Sequence, residues 1–223
     1  MRVYLSKDLR EANRSGANAN REILQEKRIL MVNLIGSPGA GKTSLLEHTL
    51  QNLSKSRRAS VIEADLYTAK DAQRLEPWCW EVIQLNTEGA CHLEAGMIGR
   101  IIEDNEALLA SDIIFIENIG NLICPAEFDL GEDLRVAMMS ATEGSDKPSK
   151  YPLAFKGSQA ILISKIDLLP YCDFDVAGVL EELRLANEDA TVIQVSAKTG
   201  EGVGQWCQWL EQQLEDKRKR LSG

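Results

Sequence analysis

Short apolar runs recur along the chain, and they predict the strands of a buried sheet. There are seven: ILMVNLI at 29–35, ASVIEA at 59–64, EVIQLN at 81–86, DIIFIE at 112–117, RVAMMSA at 135–141, QAILIS at 159–164 and ATVIQV at 190–195. Continuous apolar runs are typical of parallel strands that are covered on both faces. Segments of helical period, such as TSLLEHTLQNL and VAGVLEELRLA, lie between most of the runs. This alternation predicts an α/β fold with a mainly parallel sheet and helices on both faces.

The length of 223 residues suits one large domain. We expect this domain at 29–215, with an N-terminal helical arm at 1–28 and a basic C-terminal tail at 216–223. The arm is rich in Arg, Asn and Glu, which indicates an amphipathic helix or a partly mobile segment. We interpret Lys217–Arg220 as a solvated basic helix end and 142–158 as the longest polar connection.

The net charge narrows the classes of partner. Subtracting 34 acidic from 25 basic residues leaves −9, which argues against general affinity for nucleic acid or anionic membranes. Any phosphate ligand must therefore be bound by a local site and not by a broadly positive surface. The chain has no apolar run typical of a signal peptide or a membrane span, and its five cysteines are irregularly spaced. We expect a cytoplasmic protein with reduced thiols and no nucleic-acid or membrane partner.

A glycine-rich segment directly after the first run supplies such a local anion site. Its pattern is G-x-x-x-x-G-K-T, placed between a predicted strand and a predicted helix, which is the context of a P-loop. Backbone N–H groups surround the phosphates, Lys42 reaches the terminal phosphates, and the Thr43 hydroxyl binds Mg²⁺. The predicted nucleotide-binding residues here are Gly36, Ser37, Pro38, Gly39, Ala40, Gly41, Lys42, Thr43 and Ser44. The fold is therefore expected to be that of a P-loop NTPase.

Carboxylates near the ends of neighbouring strands are candidate Mg²⁺ ligands. Asp65 follows the second strand, Asp71 lies shortly beyond it, and Glu117 ends the fourth. We rank Asp65 and Glu117 first, and with Lys42 and Thr43 they form the predicted catalytic group. The alternative for each carboxylate is that it caps a helix or faces solvent. Hydrolysis is expected to be slow, because no glutamine or arginine is obviously placed to orient water.

Two later strand ends carry a pattern that favours guanine. Asp167 can accept two hydrogen bonds from guanine N1–H and the exocyclic amino group, whereas adenine offers no equivalent donors there. The predicted base-binding residues are Lys165, Asp167, Ser196, Ala197 and Lys198. Ser164 stands where P-loop GTPases usually have Asn. We expect this change to weaken the affinity for the nucleotide while the specificity for guanine is retained. The alternative is a Lys and an Asp that merely end a strand. GTP and GDP are thus the expected nucleotides, and 29–215 is the predicted GTPase domain.

The run ENIGNLICPAEFDLGE at 117–132 resembles the hydrogenase nickel-incorporation GTPase family HypB, whose members carry E-N-V-G-N-L-V-C-P there. The similarity extends over about residues 20–210. It includes NLIGSPGAGKTSLLE, EADLYTAKDAQRLE, QLNTEGACHLEAGMI, SATEGSDKPSKYP and SAKTGEG. The related GTPase that delivers nickel to urease shares the fold but lacks the E-N-x-G-N-L-x-C-P run.

The resemblance implies a metal site formed by Cys91, His92 and Cys124. Thiolate and imidazole suit Ni²⁺ or Zn²⁺, but three ligands leave the shell incomplete, so water or a second subunit must contribute. Judged without the resemblance, a Cys-His pair and a distant Cys are more often structural. Gly96 replaces a histidine of many members, so a second metal site is doubtful.

The remaining candidate ligands have no assigned function. We expect packing or solvated roles for His48, Cys79, Cys172 and Cys207. The N-terminus lacks the Cys-rich and His-rich stretches of some members, so nickel storage is not expected.

The function implied by the resemblance is that of a metal-regulated GTPase. Such a protein forms a homodimer when GTP is bound and passes Ni²⁺ to the hydrogenase large-subunit precursor together with the nickel chaperone HypA. Residues 20–27 are a candidate HypA contact, with a helix packed on its own domain as the alternative. Two other functions stay open: nickel delivery to another enzyme such as urease, and a nucleotide-stabilised metal-carrying module with negligible turnover.

Overall fold

The computed structural model describes residues 6–65, 69–87 and 89–222, and its centre is one seven-stranded sheet. The strands are all parallel and lie in the order β3-β2-β4-β1-β5-β6-β7. Their bounds are β1 Leu30–Gly36, β2 Ala59–Asp65, β3 Val82–Asn86, β4 Ile113–Gly120, β5 Leu134–Ser140, β6 Ala160–Ser164 and β7 Thr191–Gln194. Each predicted apolar run overlaps one of these strands, so the predicted fold class is confirmed.

Helices connect the strands throughout the described part of the chain. They are α1 Ser6–Glu26, α2 Lys42–Leu53, α3 Lys70–Leu75, α4 Ala95–Asp104, α5 Glu106–Leu109, α6 Cys124–Glu127, α7 Lys147–Lys150, α8 Pro152–Lys156, α9 Val176–Ala186 and α10 Val203–Arg220. The segment 142–158, expected as a polar connection, instead contains α7 and α8. Pro148 and Pro152 lie in the first turns of these helices, where proline is tolerated, and Phe155 is buried. No helix among the described residues is long and apolar enough to span a membrane.

The sheet is covered on both faces, as β1 illustrates. Leu30, Val32 and Leu34 belong to a buried cluster with residues of α2 and α10. Met31, on the opposite face, packs with residues of α1 and α4. Successive side chains of a strand point to opposite faces, so a strand covered on both sides needs the continuous apolar run that the sequence has.

The strand order places a crevice at the carboxyl end of β1. This strand lies between β4 and β5, and the chain reaches β2 on one side before it returns to β5 on the other. In open α/β sheets, ligands bind where the strand order reverses in this way. The loop between β1 and α2 therefore lies at the expected binding edge.

The described part of the N-terminal arm is a helix packed on the domain. Ala17, Asn20 and Leu24 of α1 are buried. The Asn20 amide donates to the carbonyl oxygens of Ala95 at 2.9 Å and Leu130 at 2.8 Å, which joins α1 to the start of α4 and to the loop after α6. Residues 1–5 lie outside the described residues.

The interpretation of Lys217–Arg220 as a solvated helix end is wrong for its first two residues. Lys217 is 3% exposed, and its Nζ lies 2.6 Å from both carboxylate oxygens of Asp133. Arg218 pairs with Asp112. Asp112 and Asp133 directly precede β4 and β5, so the end of α10 lies at the amino edge of the sheet. The two aspartates neutralise the positive charges of Arg218 and Lys217 there. Helix α10 continues through residue 216, where the tail was expected to begin.

Candidate functional site

The phosphate loop leaves β1 and turns into α2 with a backbone that only glycine adopts readily. Gly39 and Gly41 have φ of 75° and 95°. A Cβ on Gly36 would lie 2.7 Å from the Met138 carbonyl oxygen, so this glycine lets the loop approach β5. Lys42 is buried, its Nζ donates to the Gly36 carbonyl at 3.2 Å, and its burial lowers its pKa. The loop has the form that the motif predicts.

Four carboxylates and the Thr43 hydroxyl lie around one cavity at the carboxyl ends of β2 and β4. Thr43 Oγ1 donates to Glu117 Oε1 at 2.7 Å. Carboxylate oxygens of Glu63, Asp65 and Asp71 lie within 4.8 Å of one another. All five residues line a cavity of about 490 Å³ next to Lys42. The structure therefore brings together the predicted Mg²⁺ ligands and also includes Asp71, which was ranked lower.

Glu63 is the member of this group that sequence reasoning missed. It lies in β2 two residues before Asp65, so both side chains point to the same face of the strand. The spacing of two residues from Asp65 could have indicated that Glu63 joins this group. A glutamate inside an apolar run, however, first suggests a strand that is exposed on one face.

The electrostatics of this group favour a bound cation. Burial raises the pKa of Glu63 to about 8 and the pKa of Glu117 to about 7. The Oε2 atoms of both side chains are buried without a hydrogen-bond partner among the described residues. Buried carboxylate oxygens without partners are costly unless the group takes up a proton or a cation neutralises it. The oxygen donor set suits Mg²⁺, which binds carboxylate and hydroxyl oxygens.

A second cavity of about 410 Å³ lies at the carboxyl ends of β6 and β7 and is lined by the predicted base-binding residues Lys165, Asp167, Ala197 and Lys198. Ser196 Oγ donates to Asp167 Oδ1 at 2.6 Å, which orients the carboxylate. The geometry suits recognition of the two N–H donors of guanine.

Ser164 connects the base-binding loop to the phosphate loop. Its buried hydroxyl donates to the Ala40 carbonyl oxygen at 2.6 Å. A shorter side chain than the usual Asn therefore still links the two loops. Whether the serine weakens nucleotide affinity stays a prediction.

The three predicted metal ligands are adjacent in space, although Cys124 lies 33 positions after Cys91 in the sequence. Cys91 Sγ lies 3.3 Å from Cys124 Sγ and 3.4 Å from His92 Nδ1. Cys124 begins α6, and the Asn121 amide donates to the Cys91 carbonyl at 3.3 Å, which holds the two segments together. Cys91 is exposed. Two thiols and an imidazole at one exposed point form a donor set that suits Ni²⁺ or Zn²⁺.

Phe128 is a further residue of this site that the sequence did not indicate. Its ring stacks on the His92 ring with centroids 3.8 Å apart and planes 24° apart. The stacking restricts the rotation of the imidazole and so limits where its nitrogens can point. A phenylalanine four residues after a cysteine carries no signal for this contact, because the partner lies on a different segment.

The other cysteines are placed differently from Cys91 and Cys124. Cys79 and Cys207 pack against the apolar core, and burial raises their pKa to about 12 and about 11. Both thiols therefore stay protonated near neutral pH and are poor metal ligands. His48 lines the base cavity on α2.

The comparisons with known proteins agree with this architecture. The model of the family described as CobW/HypB/UreG, nucleotide-binding domain, matches residues 30–194. Hydrogenase maturation factor HypB of Azotobacter chroococcum is 44% identical over 211 residues, which cover 95% of this chain and 69% of that protein. This chain belongs to the HypB family. The resemblance drawn from the ENIGNLICP run is thus confirmed.

Two further relatives bear on the site. The crystal structure of HypB from Helicobacter pylori in complex with nickel has a TM-score of 0.85 and 34% identity, and covers 94% of this chain and 97% of that one. Hydrogenase/urease maturation factor HypB of Helicobacter hepaticus is 37% identical and covers 86% of this chain and 80% of that protein. The chain is therefore a P-loop protein of a family of hydrogenase maturation factors, with a nickel-bound relative of the same fold.

Proposed function

We propose that this chain is a metal-regulated GTPase that hydrolyses GTP and assists nickel insertion into the [NiFe]-hydrogenase large subunit. The observation that carries the proposal is the short segment between Glu117 and Cys124. At one end, Glu117 accepts a hydrogen bond from Thr43 of the phosphate loop, and at the other end Cys124 lies beside Cys91. One segment can therefore respond to the nucleotide and move a metal ligand.

GTP would extend across the two cavities, with guanine beside Asp167 and the terminal phosphates beside Lys42. Mg²⁺ would be held by Thr43 and Glu117, with Asp65 and Asp71 on the wall of the same cavity as further candidate ligands. Bound there, it would neutralise charge on the phosphate oxygens. Lys42 positions the terminal phosphates, and the glycine-rich backbone shields them from competing contacts.

Hydrolysis is proposed to be slow, so that it resets a switch. Among the described residues that line the phosphate cavity there is no glutamine, the residue that orients water in many fast GTPases. One arginine, Arg74, does line this cavity, where it pairs with Glu47 and Asp71.

Nickel is the proposed cargo of the Cys91, His92 and Cys124 site, with Zn²⁺ as the other metal suited to the donors. Water or a second copy of the chain would complete the shell. The Cys91 thiol is exposed, so a second copy of the chain could reach the site and supply a ligand. We propose a GTP-dependent homodimer that acts with the chaperone HypA and the hydrogenase large-subunit precursor.

Delivery to urease is a second candidate, because the Helicobacter hepaticus relative is named as a hydrogenase/urease maturation factor. Disrupting the gene, restoring it and measuring hydrogenase and urease activity each time would distinguish the two candidate functions. Loss and recovery of hydrogenase activity alone supports the first proposal, whereas loss of urease activity supports the second.

Phosphate release tests the enzymatic part. Purified protein with Mg·GTP should release phosphate slowly, and Lys42→Ala should release none above background. If the unchanged protein does not exceed Lys42→Ala, the chain is a nucleotide-stabilised metal carrier and the GTPase proposal is wrong.

A further inference from the structure

Two cationic side chains, Arg74 and Lys165 of the base-binding loop, lie where the two cavities of the nucleotide site meet. The base cavity and the phosphate cavity share four lining residues, which are Gly41, Ser44, Arg74 and Lys165. Arg74 belongs to α3, which follows β2, and it is part of neither the phosphate loop nor the base-binding loops. Its side chain is 45% exposed, so it has surface available for a ligand.

Contacts on two elements hold the Arg74 guanidinium in place. Its Nη2 lies 2.8 Å from Glu47 Oε2 on α2 and 3.4 Å from Ser44 Oγ. Its Nη1 lies 3.4 Å from Asp71 Oδ1. A guanidinium has five N–H donors, so these contacts leave donors for another anion. Holding the group beforehand also lowers the entropy that a ligand contact would cost.

The covalent order of a nucleotide identifies which part faces Arg74. When guanine lies beside Asp167 and the terminal phosphates lie beside Lys42, the ribose and the α-phosphate must occupy the space between them. That space is the boundary that Arg74 lines. Of the two groups, the α-phosphate is the anion, and planar guanidinium binds phosphate oxygens well.

We infer that Arg74 binds the α-phosphate of the guanine nucleotide and is a nucleotide-binding residue of this site. The inference rests on the proposed function, because it assumes a nucleotide that spans both cavities. It adds a contact from the region after β2 to those from the phosphate loop. Since Arg74 also touches Asp71, the same contact links the nucleotide to the carboxylate group proposed for Mg²⁺.

A purely structural role is the competing explanation. In that case Arg74 only joins α3 to α2 through Glu47, and removing either partner should have the same effect. Glu47→Gln removes the ion pair but keeps the guanidinium, so it is the matched control. Arg74→Lys keeps the charge and loses the forked geometry.

The test is calorimetric titration of each variant with GDP and with guanosine, which lacks phosphate. Arg74→Ala should weaken GDP binding about tenfold, the loss of one partly exposed charge-assisted contact, and change guanosine binding less than about twofold. Arg74→Lys should recover part of the loss, and Glu47→Gln should weaken GDP by no more than about threefold. The GDP effect should persist without Mg²⁺, because the contact is direct.

Three results would overturn the inference: unchanged GDP affinity in Arg74→Ala, an equal loss for guanosine, or Glu47→Gln matching Arg74→Ala. Lys42→Ala separates this failure from failure of the proposed function. If Lys42→Ala loses GDP while Arg74→Ala does not, the nucleotide site stands and only the role of Arg74 is wrong. If the unchanged protein binds neither GDP nor GTP, the proposed function itself fails.

Discussion

Replacing Asp167 with Asn should change the base preference from guanine to xanthine. Ser196 Oγ donates to Asp167 Oδ1 at 2.6 Å, and this contact fixes how an amide would sit. In Asp167→Asn the carbonyl oxygen stays with the serine hydroxyl, so the NH₂ group points into the base cavity. There it opposes the N–H donors of guanine, whereas xanthine offers a carbonyl oxygen in place of the exocyclic amino group.

The expected magnitude follows from the contacts that are lost. In the proposed site guanine would donate two charge-assisted hydrogen bonds to the Asp167 carboxylate, each worth about 1.5–3 kcal/mol. Losing about 3 kcal/mol or more lowers affinity about 100-fold, at 1.4 kcal/mol for each factor of ten. Titration with GDP measures the loss of guanine affinity, and titration with xanthosine diphosphate measures the gain of xanthine affinity. Asp167→Ala is the control, because it removes the acceptor without adding a donor and should weaken both nucleotides. If Asp167→Asn still prefers GDP, the base assignment is wrong.

Three further outcomes are expected. Burial raises the pKa of Glu117 to about 7 and of Glu63 to about 8, so both carboxyls take up protons as the pH falls. Mg²⁺ binding to the GDP complex should therefore weaken about tenfold from pH 8 to pH 6. Titration calorimetry measures this, and a Mg²⁺ affinity that does not change with pH would contradict the prediction. Asp133→Ala leaves the buried Lys217 ammonium without its carboxylate and should lower the free energy of unfolding in urea by about 3 kcal/mol, so a loss below about 1 kcal/mol would be inconsistent with the pair. Ser164→Ala removes the bond to the Ala40 carbonyl and should weaken GDP several-fold, whereas Ser158→Ala, which loses a similar buried bond to Ala154, should not.

The strands and the nucleotide loops could be predicted because their signals are local. A strand covered on both faces needs an uninterrupted apolar run, and a phosphate loop needs glycines and a lysine at fixed spacing. Asp167 could be predicted because it belongs to the short Ser-Lys-Ile-Asp pattern that begins at the last residue of β6. The sheet then aligns these strand ends at one edge.

The remaining features depend on pairs that only the folded chain creates. Lys217 looked solvated because a run of four basic residues usually is, yet Asp133 neutralises it from 84 residues away. Phe128 contacts His92 and Arg74 contacts Glu47 from segments that are distant in sequence, so neither contact has a spacing signal. The metal ligands were identified through the family resemblance, since 33 residues separate the two cysteines.

A Ni²⁺ titration with and without a non-hydrolysable GTP analogue tests most directly whether one segment links nucleotide and metal. We expect the analogue to change Ni²⁺ affinity in the unchanged protein. We also expect Cys124→Ala to lower Ni²⁺ binding sharply while GDP affinity stays nearly intact, and Cys172→Ala, a control at another half-buried thiol, to behave like the unchanged protein. Identical Ni²⁺ isotherms with and without the analogue, or undiminished Ni²⁺ binding in Cys124→Ala, would contradict the proposed link.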